Sequence, residues 1–255
     1  MMLTLLGECV LPNDGAAWTS AVLAVFDRLG VAEKATRQAL MRTGNAGWLQ
    51  ACREGRRTRW MLTTAGREML TDGAKRIYSF GPARRWDGRW VLVQARIPET
   101  DRAARHMVRT RLTWAGFGSL GAGLWISPHA EREQEAVKVL REAGVADGAH
   151  VFIGERTGLG DVKSIVAQAW DLPEIEAQYE RFNAEFRVLA PKDVLVRQLE
   201  LVHAWRRFPS IDPALPRELL PARWSGTTAA RIFADRHEQW LADARHEWMR
   251  LNTGV

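Results

Sequence analysis

Apolar residues recur at helical spacing in two stretches near the start of the chain. The first stretch, "TSAVLAVFDRLG", ends at a glycine, and its apolar positions are Val22, Leu23, Val25, Phe26 and Leu29. The second stretch is "AEKATRQALMRTG", in which Ala35, Ala39 and Leu40 fall on one side at about 100° per residue. The short "LGVAE" sequence between them predicts two helices joined by a tight turn, which is a helix-turn-helix arrangement.

The second of these helices has a polar and basic face. The residues opposite its apolar side are Lys34, Arg37, Gln38 and Met41, with Arg42 beside them. An exposed helix face of this composition is typical of a helix that contacts nucleic acid.

A hairpin and a further helix follow. The stretch "GWLQACREGRRTRWMLT" alternates between polar and apolar positions around Glu54-Gly55, which predicts two strands and a turn. Four arginines fall within seven positions of this hairpin, namely Arg53, Arg56, Arg57 and Arg59. The stretch "TAGREMLTDGAKRIY" then predicts a helix that closes the unit near Phe80.

Helix, turn, helix and basic hairpin are the parts of a winged helix-turn-helix domain, which we predict for residues 1–80. In such a domain the second helix enters the major groove of DNA and the cations of the hairpin contact phosphates beside it. The predicted DNA-binding residues are Lys34, Arg37, Gln38, Met41, Arg42, Arg53, Arg56, Arg57 and Arg59. The alternative is a solvated, charged hairpin on a winged-helix module that binds protein.

The middle of the chain, residues 81–164, has the pattern of a ferredoxin-like βαββαβ domain. "RWVLVQARI" alternates as a strand, and "TDRAARHMVRTRLTWAG" carries an apolar helical stripe. "FGSLGAGLWISP" predicts two short strands, or one strand interrupted by glycines. A helix, "AEREQEAVKVLREAG", and a last strand, "AHVFIGE", complete the order.

Residues 165–255 predict a C-terminal helical domain. Helical spacing relates Ile175, Tyr179, Phe182, Phe186 and Leu189, and a later set ends at Trp248. The prolines of "FPSIDPALPRELLPARWSG" force an irregular connection between helices. Because this connection is rich in apolar residues, we expect it to pack against the protein. The fold class is therefore α+β.

The charge is distributed unevenly along the chain. Net charge is +6, and residues 1–80 hold 11 Lys and Arg against 7 Asp and Glu. Residues 81–164 hold 13 against 10, and residues 165–255 hold 12 against 13. The positive excess lies in the first two thirds, where a nucleic-acid surface is expected.

Composition excludes several other classes of protein. No apolar run approaches the roughly 20 residues of a membrane span, and the N-terminus has no signal-peptide pattern. The two cysteines, Cys9 and Cys52, form no CxxC motif, so a reducing cytoplasm is predicted. The six histidines are scattered, and neither a metal site nor a membrane partner is predicted.

Several stretches together resemble the PaaX-like transcriptional regulators, the phenylacetic-acid-degradation repressor family. The similar stretches are "LTLLGECVLP", "GWLQACREGRRTRWMLTTAG", "WDGRWVLVQARIPETDRAARHMVRTRLTWAGFGSLGAGLWISPH" and "DPALPRELLPARWSGTTAARIF". Their order and end-to-end coverage are specific, although each one alone is weak. The resemblance implies a dimeric repressor that binds double-stranded operator DNA and is released by an aryl-CoA thioester, typically phenylacetyl-CoA. We predict no cofactor.

The middle domain of such proteins is similar to small CRISPR-associated endoribonucleases, which place a metal-binding aspartate near the end of the first strand. Here "VQARIPE" puts Arg96 at that position, and a cation cannot bind Mg²⁺. The neighbours Gln94, Ala95 and Ile97 are no better as ligands. "GERTGLGD" lacks the GKS or GKT ending of a phosphate loop, and no GxSxG occurs. We therefore predict no catalytic residues, with a metal-dependent nuclease or another enzyme on this domain as the alternative.

An acyl-CoA site needs cations for the phosphates and a dry slot for the acyl group. The residues that supply these chemistries are Arg105, Arg109, Trp114, His203, Trp205, Arg206 and Arg207. The alternative for each of them is ordinary surface charge or a core aromatic side chain.

Overall fold

The computed structural model describes residues 1–81, 85–187 and 191–253. Over these residues the chain is a mixed α+β protein with two antiparallel sheets and a helical C-terminal region. It forms two compact units. The first unit comprises Met1–Phe80, Phe182–Arg206 and Ala230–Val255, and the second comprises Gly81–Arg181 and Arg207–Ala229. Residues 165–255, for which we predict a separate domain, are shared between the two.

The N-terminal part of the first unit alternates helices with three strands. Its elements are α1 (Met2–Leu5) continued by a π turn (Leu6–Val10), β1 (Ala16–Trp18), α2 (Thr19–Arg28), α3 (Glu33–Asn45), β2 (Leu49–Glu54), β3 (Arg57–Leu62) and α4 (Thr64–Tyr78). The sheet order is β1-β3-β2, and both pairings are antiparallel. The predicted helices, hairpin and closing helix are confirmed.

Strand β1 is not predicted by the sequence pattern. It has only three residues, Ala-Ala-Trp, which carry no alternation of polar and apolar side chains. It forms because the second edge of β3 pairs with it, Ala17 lying opposite Trp60. This pairing makes β3 the central strand and holds Trp60 in the core.

The C-terminal helices α9 (Val194–Trp205) and α11 (Ser225–Asn252) supply part of the core of the first unit. Leu195 and Leu199 of α9 and Trp248 of α11 have no exposed surface and pack with the buried side chains of residues 2–70. Helix α8 (Leu172–Phe186) precedes them, and two of the boundaries between the units fall within α8 and α11. Leu189, which the pattern adds to the period of α8, lies outside the described residues.

The second unit contains a four-stranded antiparallel sheet. Its elements are β4 (Arg89–Ala95), α5 (Arg102–Trp114), β5 (Gly118–Gly121), β6 (Leu124–Ser127), α6 (Glu133–Glu142) and β7 (Ala149–Glu155). The sheet order is β5-β6-β4-β7. Thus "FGSLGAGLWISP" forms two strands, not one. Helix α7 (Val162–Ala169) follows the sheet, and the short helices α10 (Phe208–Ile211) and Arg217–Leu219 (3-10) belong to the same unit.

The proline-rich connection packs against the second unit, as its composition predicts. Leu215, Leu219 and Trp224 are buried. Asp212 accepts hydrogen bonds from the Tyr179 hydroxyl at 2.6 Å and from the amide nitrogen of Ala214 at 2.7 Å. Burial raises the pKa of Asp212 in spite of these hydrogen bonds. The connection is therefore packed as an integral part of the second unit.

Candidate nucleic-acid interface and effector residues

Helix α3 has one buried and one exposed side. Thr36, Leu40 and Thr43 are buried, at intervals that follow one helical stripe. The threonine hydroxyls donate to backbone carbonyls one turn earlier, at 3.3 Å and 2.8 Å, which satisfies them inside the core. The prediction that Ala35 lies on the apolar side of α3 is wrong, because Ala35 is exposed. The buried stripe runs instead through Thr36 and Thr43.

The exposed side of α3 holds all five residues predicted for it. Together with two neighbours they line one shallow concavity, formed by Glu33, Lys34, Arg37, Gln38, Met41, Arg42 and Asn45. Met41 is 55% exposed, an unusual position for a large apolar side chain. We name this surface the α3 stripe.

The charges of the α3 stripe differ in their partners. Arg37 pairs with Glu33 at 2.7 Å, one turn earlier on the same helix. In the described part of the chain Lys34 and Arg42 form no ion pair. Lys34 and Arg42 can therefore bind an anion directly. Arg37 must first break its ion pair with Glu33, which costs a few tenths of a kcal/mol.

Helices α2 and α3 both contact the central strand β3, α2 through Thr19 and α3 through Gly44. The Trp60 indole nitrogen donates to the Thr19 hydroxyl at 3.1 Å, and this hydroxyl donates to the Thr58 carbonyl at 2.9 Å. A Cβ atom on Gly44 would lie 3.1 Å from the Trp60 ring, so the end of α3 packs closely on β3. These contacts orient the α3 stripe relative to the hairpin.

The hairpin turns at Gly55 and Arg56, and Glu54 pairs with Arg57. Gly55 has φ +62°, which a two-residue turn requires and glycine adopts without strain. Alternation along the strands puts Arg57 and Arg59 on one face, whereas Arg53 lies on the other face opposite Thr58.

The four hairpin arginines also differ in their exposure and in their contacts with other residues. Arg56 and Arg57 are exposed and form no ion pair within the described residues. Arg59 is half-buried, lies 3.9 Å from a Glu54 oxygen, and stacks over the Trp18 ring at 5.7 Å. Arg53 donates to the Gly55 carbonyl at 3.3 Å. Arg56 in the turn and Arg57 at the start of β3 are thus the most available of the four to an anion.

The predicted effector residues are divided between the two units. Arg105 and Arg109 line one concavity of the second unit, whereas Trp114 is 59% exposed and does not line it. Arg207 is exposed at the start of α10 in the same unit. His203, Trp205 and Arg206 belong to the first unit.

The three residues of the first unit have structural partners there. Trp205 is 1% exposed, stacks on Phe233 with ring centroids 4.7 Å apart, and donates from its indole nitrogen to the Ile77 carbonyl at 3.3 Å. Nδ1 of His203 lies 3.2 Å from the Thr4 hydroxyl, to which Arg206 also donates at 3.4 Å. Trp205 is accordingly a core residue of the first unit.

The concavity that contains Arg105 and Arg109 has further cations that the sequence reasoning missed. Its basic lining consists of Arg96, Arg102, Arg105, His106 and Arg109, and we name it the arginine concavity. Arg102, Arg105 and Arg109 follow a helical spacing, a signal that could have identified them as one surface. Arg96 joins them from the end of β4, where its amide nitrogen donates to the Gly148 carbonyl at 3.0 Å.

Within residues 1–81, 85–187 and 191–253, no group of three or more His, Cys, Asp or Glu side chains could hold a metal ion. Among the helices of these ranges, none is long and apolar enough to cross a membrane.

The α3 stripe and the hairpin are the features of a candidate nucleic-acid-binding protein. Three family models match the chain: "PaaX-like protein" over residues 1–66, "PaaX protein central Cas2-like domain" over 83–166, and "PaaX-like protein C-terminal domain" over 170–250. The chain belongs to the PaaX-like family.

Two individual proteins are similar over most of their length. The chain is 34% identical over 244 residues to the transcriptional repressor PaaX of Escherichia coli strain K12, a match that covers 90% of this chain and 76% of that protein. It also resembles the solved structure of the uncharacterized protein Rv0674 from Mycobacterium tuberculosis. That match has a TM-score of 0.68 at 22% identity and covers 97% and 96% of the two chains, which shows the shared fold.

Proposed function

We propose that this protein is a transcriptional repressor that binds double-stranded operator DNA through the α3 stripe and the hairpin. The observation that carries the proposal is the exposed side of α3, where Lys34, Arg37, Gln38 and Arg42 surround Met41 on a helix whose opposite side is buried. Amide, guanidinium and apolar groups are the chemistries that read base edges in the major groove. The related repressor from Escherichia coli supports the same role.

The order of elements supports a winged helix-turn-helix assignment for the N-terminal part. A helix, a strand, two helices and two strands succeed one another, and β3 lies between β1 and β2. In this assignment α3 is the recognition helix and the β2-β3 hairpin is the wing. Arg56 and Arg57 contact phosphates, which position the protein without reading sequence.

The second unit supports a ferredoxin-like assignment. Its strands and helices follow the order βαββαβ, and the first and third strands, β4 and β6, are neighbours in the sheet. A metal-dependent nuclease on this unit is the competing function. The guanidinium of Arg96, exposed at the end of β4, repels a divalent cation and favours a regulator over an enzyme.

A homodimer is part of the proposal. One recognition helix reads one half-site, and two half-sites related by a two-fold axis give the specificity that repression needs. The second unit offers surface for self-association, since β7 is an edge strand and its Phe152 and Ile153 are 59% and 45% exposed.

Effector release completes the proposal. The family resemblance implies an aryl-CoA thioester, with phenylacetyl-CoA as the first candidate and an aromatic-acid catabolic operon as the target. The effector lowers DNA affinity by changing the distance between the two recognition helices of the dimer, because both must reach successive major grooves.

A gel shift separates the two functions. The full-length protein is titrated into DNA from upstream of its own gene and into shuffled DNA of equal length, and the same DNAs and an RNA are incubated with protein and Mg²⁺. We expect a shift at lower protein concentration with the upstream DNA, and no cleavage. Equal shifts with both DNAs contradict the repressor, and cleavage that requires Mg²⁺ favours the nuclease.

A further inference from the structure

We propose that the second unit contains a two-part site for an acyl-CoA thioester, with the phosphates on the arginine concavity and the acyl group in a separate apolar cleft beside α7. The inference rests on the proposed effector response and assigns it a location. Neither part involves the residues of the α3 stripe or the hairpin.

The arginine concavity has the charge of a phosphate site. Arg96, Arg102, Arg105 and Arg109 line it with His106, against one carboxylate residue, Glu99. Over the described residues none of the four arginines forms an ion pair, and the guanidinium of Arg105 donates to the backbone carbonyl of Glu99. Like charges gathered in one concavity repel each other until an anion binds. CoA carries a diphosphate and a 3′-phosphate, which guanidinium groups bind in a bidentate manner.

The dimensions of the arginine concavity favour a small ligand. Its volume is about 900 Å³, within the range of small-molecule sites. Trp125 also lines it, a half-buried aromatic residue of the kind on which an adenine base can stack. A nucleotide thus matches both the charge and the size.

A second cleft lies between α7 and the proline-rich connection. Its apolar walls are Val166, Trp170 and Leu172 on one side and Leu219, Leu220 and Pro221 on the other. The volume is about 680 Å³, which accommodates a phenyl ring with room for its linker. Trp170 is 8% exposed, and its indole nitrogen has no hydrogen-bond partner among the described residues.

The charges at this α7 cleft select a neutral group. Asp171 and Glu218 line it with only one ammonium, that of Lys163. Two carboxylates against one ammonium disfavour a free aromatic acid, which carries its own negative charge. A thioester has lost that charge, so the α7 cleft favours the CoA ester over the parent acid.

One edge strand separates the two parts. A Cβ atom on Gly118 of β5 would lie 2.6 Å from the Trp170 ring, whereas the next residue, Ser119, lines the arginine concavity. Successive residues of a strand point to opposite faces, so the two parts lie on either side of β5. Gln168, at the α7 cleft, donates to the Leu120 carbonyl at 3.1 Å and joins α7 to this strand. The pantetheine arm, long and flexible, is the part of CoA that would pass around the edge.

Calorimetric titration of the full-length protein tests the site. The ligands are phenylacetyl-CoA, CoA and phenylacetate. We expect wild type to bind phenylacetyl-CoA about tenfold or more tightly than CoA, because burial of the ring adds apolar area, and to bind phenylacetate not measurably. The double variant Arg105→Gln/Arg109→Gln should weaken both CoA ligands by about tenfold or more, since charge-assisted hydrogen bonds are lost.

Ala167→Trp separates the acyl part from the phosphate part. Ala167 is an exposed residue of the α7 cleft, so a larger side chain fills the cleft without entering the core. This variant should bind phenylacetyl-CoA no more tightly than CoA, with CoA affinity unchanged. Matched controls are Arg141→Gln on α6 and Ala184→Trp on α8, both at exposed helical positions outside the site, and both should retain wild-type affinities.

Each outcome decides the proposal. Wild-type affinity in both site variants overturns the location while the effector response stands, and equal losses in the control variants overturn it too. If wild type binds no thioester, effector release fails together with this site, whereas the repressor is judged by the gel shift alone. Circular dichroism confirms folding, and Arg96→Gln and Ala167→Phe replace any variant that fails to fold.

Discussion

Nε2 of His237 lies 3.0 Å from Oε2 of Glu8, although 229 positions separate the two residues in the chain. The same carboxylate accepts hydrogen bonds from the Tyr78 hydroxyl and from the Gln198 side chain. Glu8 is 7% exposed, and burial by itself raises its pKa, but the hydrogen bonds from His237, Tyr78 and Gln198 outweigh burial and lower the pKa below its usual 4.5. The carboxylate thus ties together the N-terminal segment, α4, α9 and α11.

This network predicts a pH dependence of stability. Because the pKa of Glu8 is lower in the folded protein than in the unfolded chain, its charge stabilises the folded state above pH 4.5. The stabilisation is lost as the pH falls through the lowered pKa. Glu8→Gln should reduce the free energy of unfolding at pH 7 by about 1–3 kcal/mol and flatten its decline below pH 5. Urea titrations from pH 7 to pH 3 measure both effects, and two parallel curves would contradict the role of the charge.

The hairpin tip predicts a loss of affinity without a loss of specificity. Replacing Arg56 and Arg57 by Ala should weaken operator and random DNA about equally, because phosphate contacts carry no sequence information. The slope of log K against log salt should become less steep by about 2, near one per lost phosphate contact. Fluorescence anisotropy at several salt concentrations measures the slope. Arg67→Ala, at an exposed arginine of α4, serves as a control.

The α3 stripe predicts the opposite behaviour. Gln38→Ala should reduce the preference for operator over random DNA by about 1–3 kcal/mol if its amide contacts a base edge. Arg37→Ala should also reduce this preference. The reduction should be slightly smaller, because the wild-type Arg37 must break its ion pair with Glu33 before it contacts DNA. Competition gel shifts measure the ratio of affinities. Equal losses on both DNAs, as expected for Arg56 and Arg57, would remove α3 from base recognition.

The C-terminal helix is expected to stabilise the DNA-binding unit. Trp248 has no exposed surface and packs with residues 2–70, so Trp248→Ala should lower the free energy of unfolding by about 3–5 kcal/mol. Trp114→Ala is the matched control, because Trp114 is 59% exposed and its loss should cost about 0.5 kcal/mol or less. Chemical denaturation followed by circular dichroism compares them. Similar losses in both variants would argue against the role of α11.

Effector release predicts reciprocal coupling. A hundredfold loss of DNA affinity requires phenylacetyl-CoA to favour the released state by about 2.7 kcal/mol. Operator DNA must then weaken phenylacetyl-CoA binding by the same factor. Calorimetry of phenylacetyl-CoA with and without operator checks this equality, with CoA as the control. Unchanged thioester binding in the presence of operator would overturn effector release.

The proposed homodimer has its own test, which is light scattering of the free protein at micromolar concentration.

Local patterns in the sequence determined much of the first unit. The two sides of α3, the hairpin, and helix α4 all follow from the spacing of apolar residues and from turn residues such as Gly55. These features are predictable because the periods of helices and strands are properties of the backbone itself. The five residues predicted on the exposed side of α3 therefore occupy it.

Tertiary packing decided what local periodicity does not encode. Strand β1 exists only because β3 has an edge to pair with, and Trp205 is a core residue because Phe233 and Ile77 surround it. Arg96 joins the arginines of α5 only when the end of β4 lies beside that helix. Likewise, the sequence predicts α9 and α11 as part of a separate helical domain, but their apolar side chains complete the core of the N-terminal residues. The hydrophobic effect depends on the apolar area removed from water, and it does not depend on how far apart the residues are in the sequence.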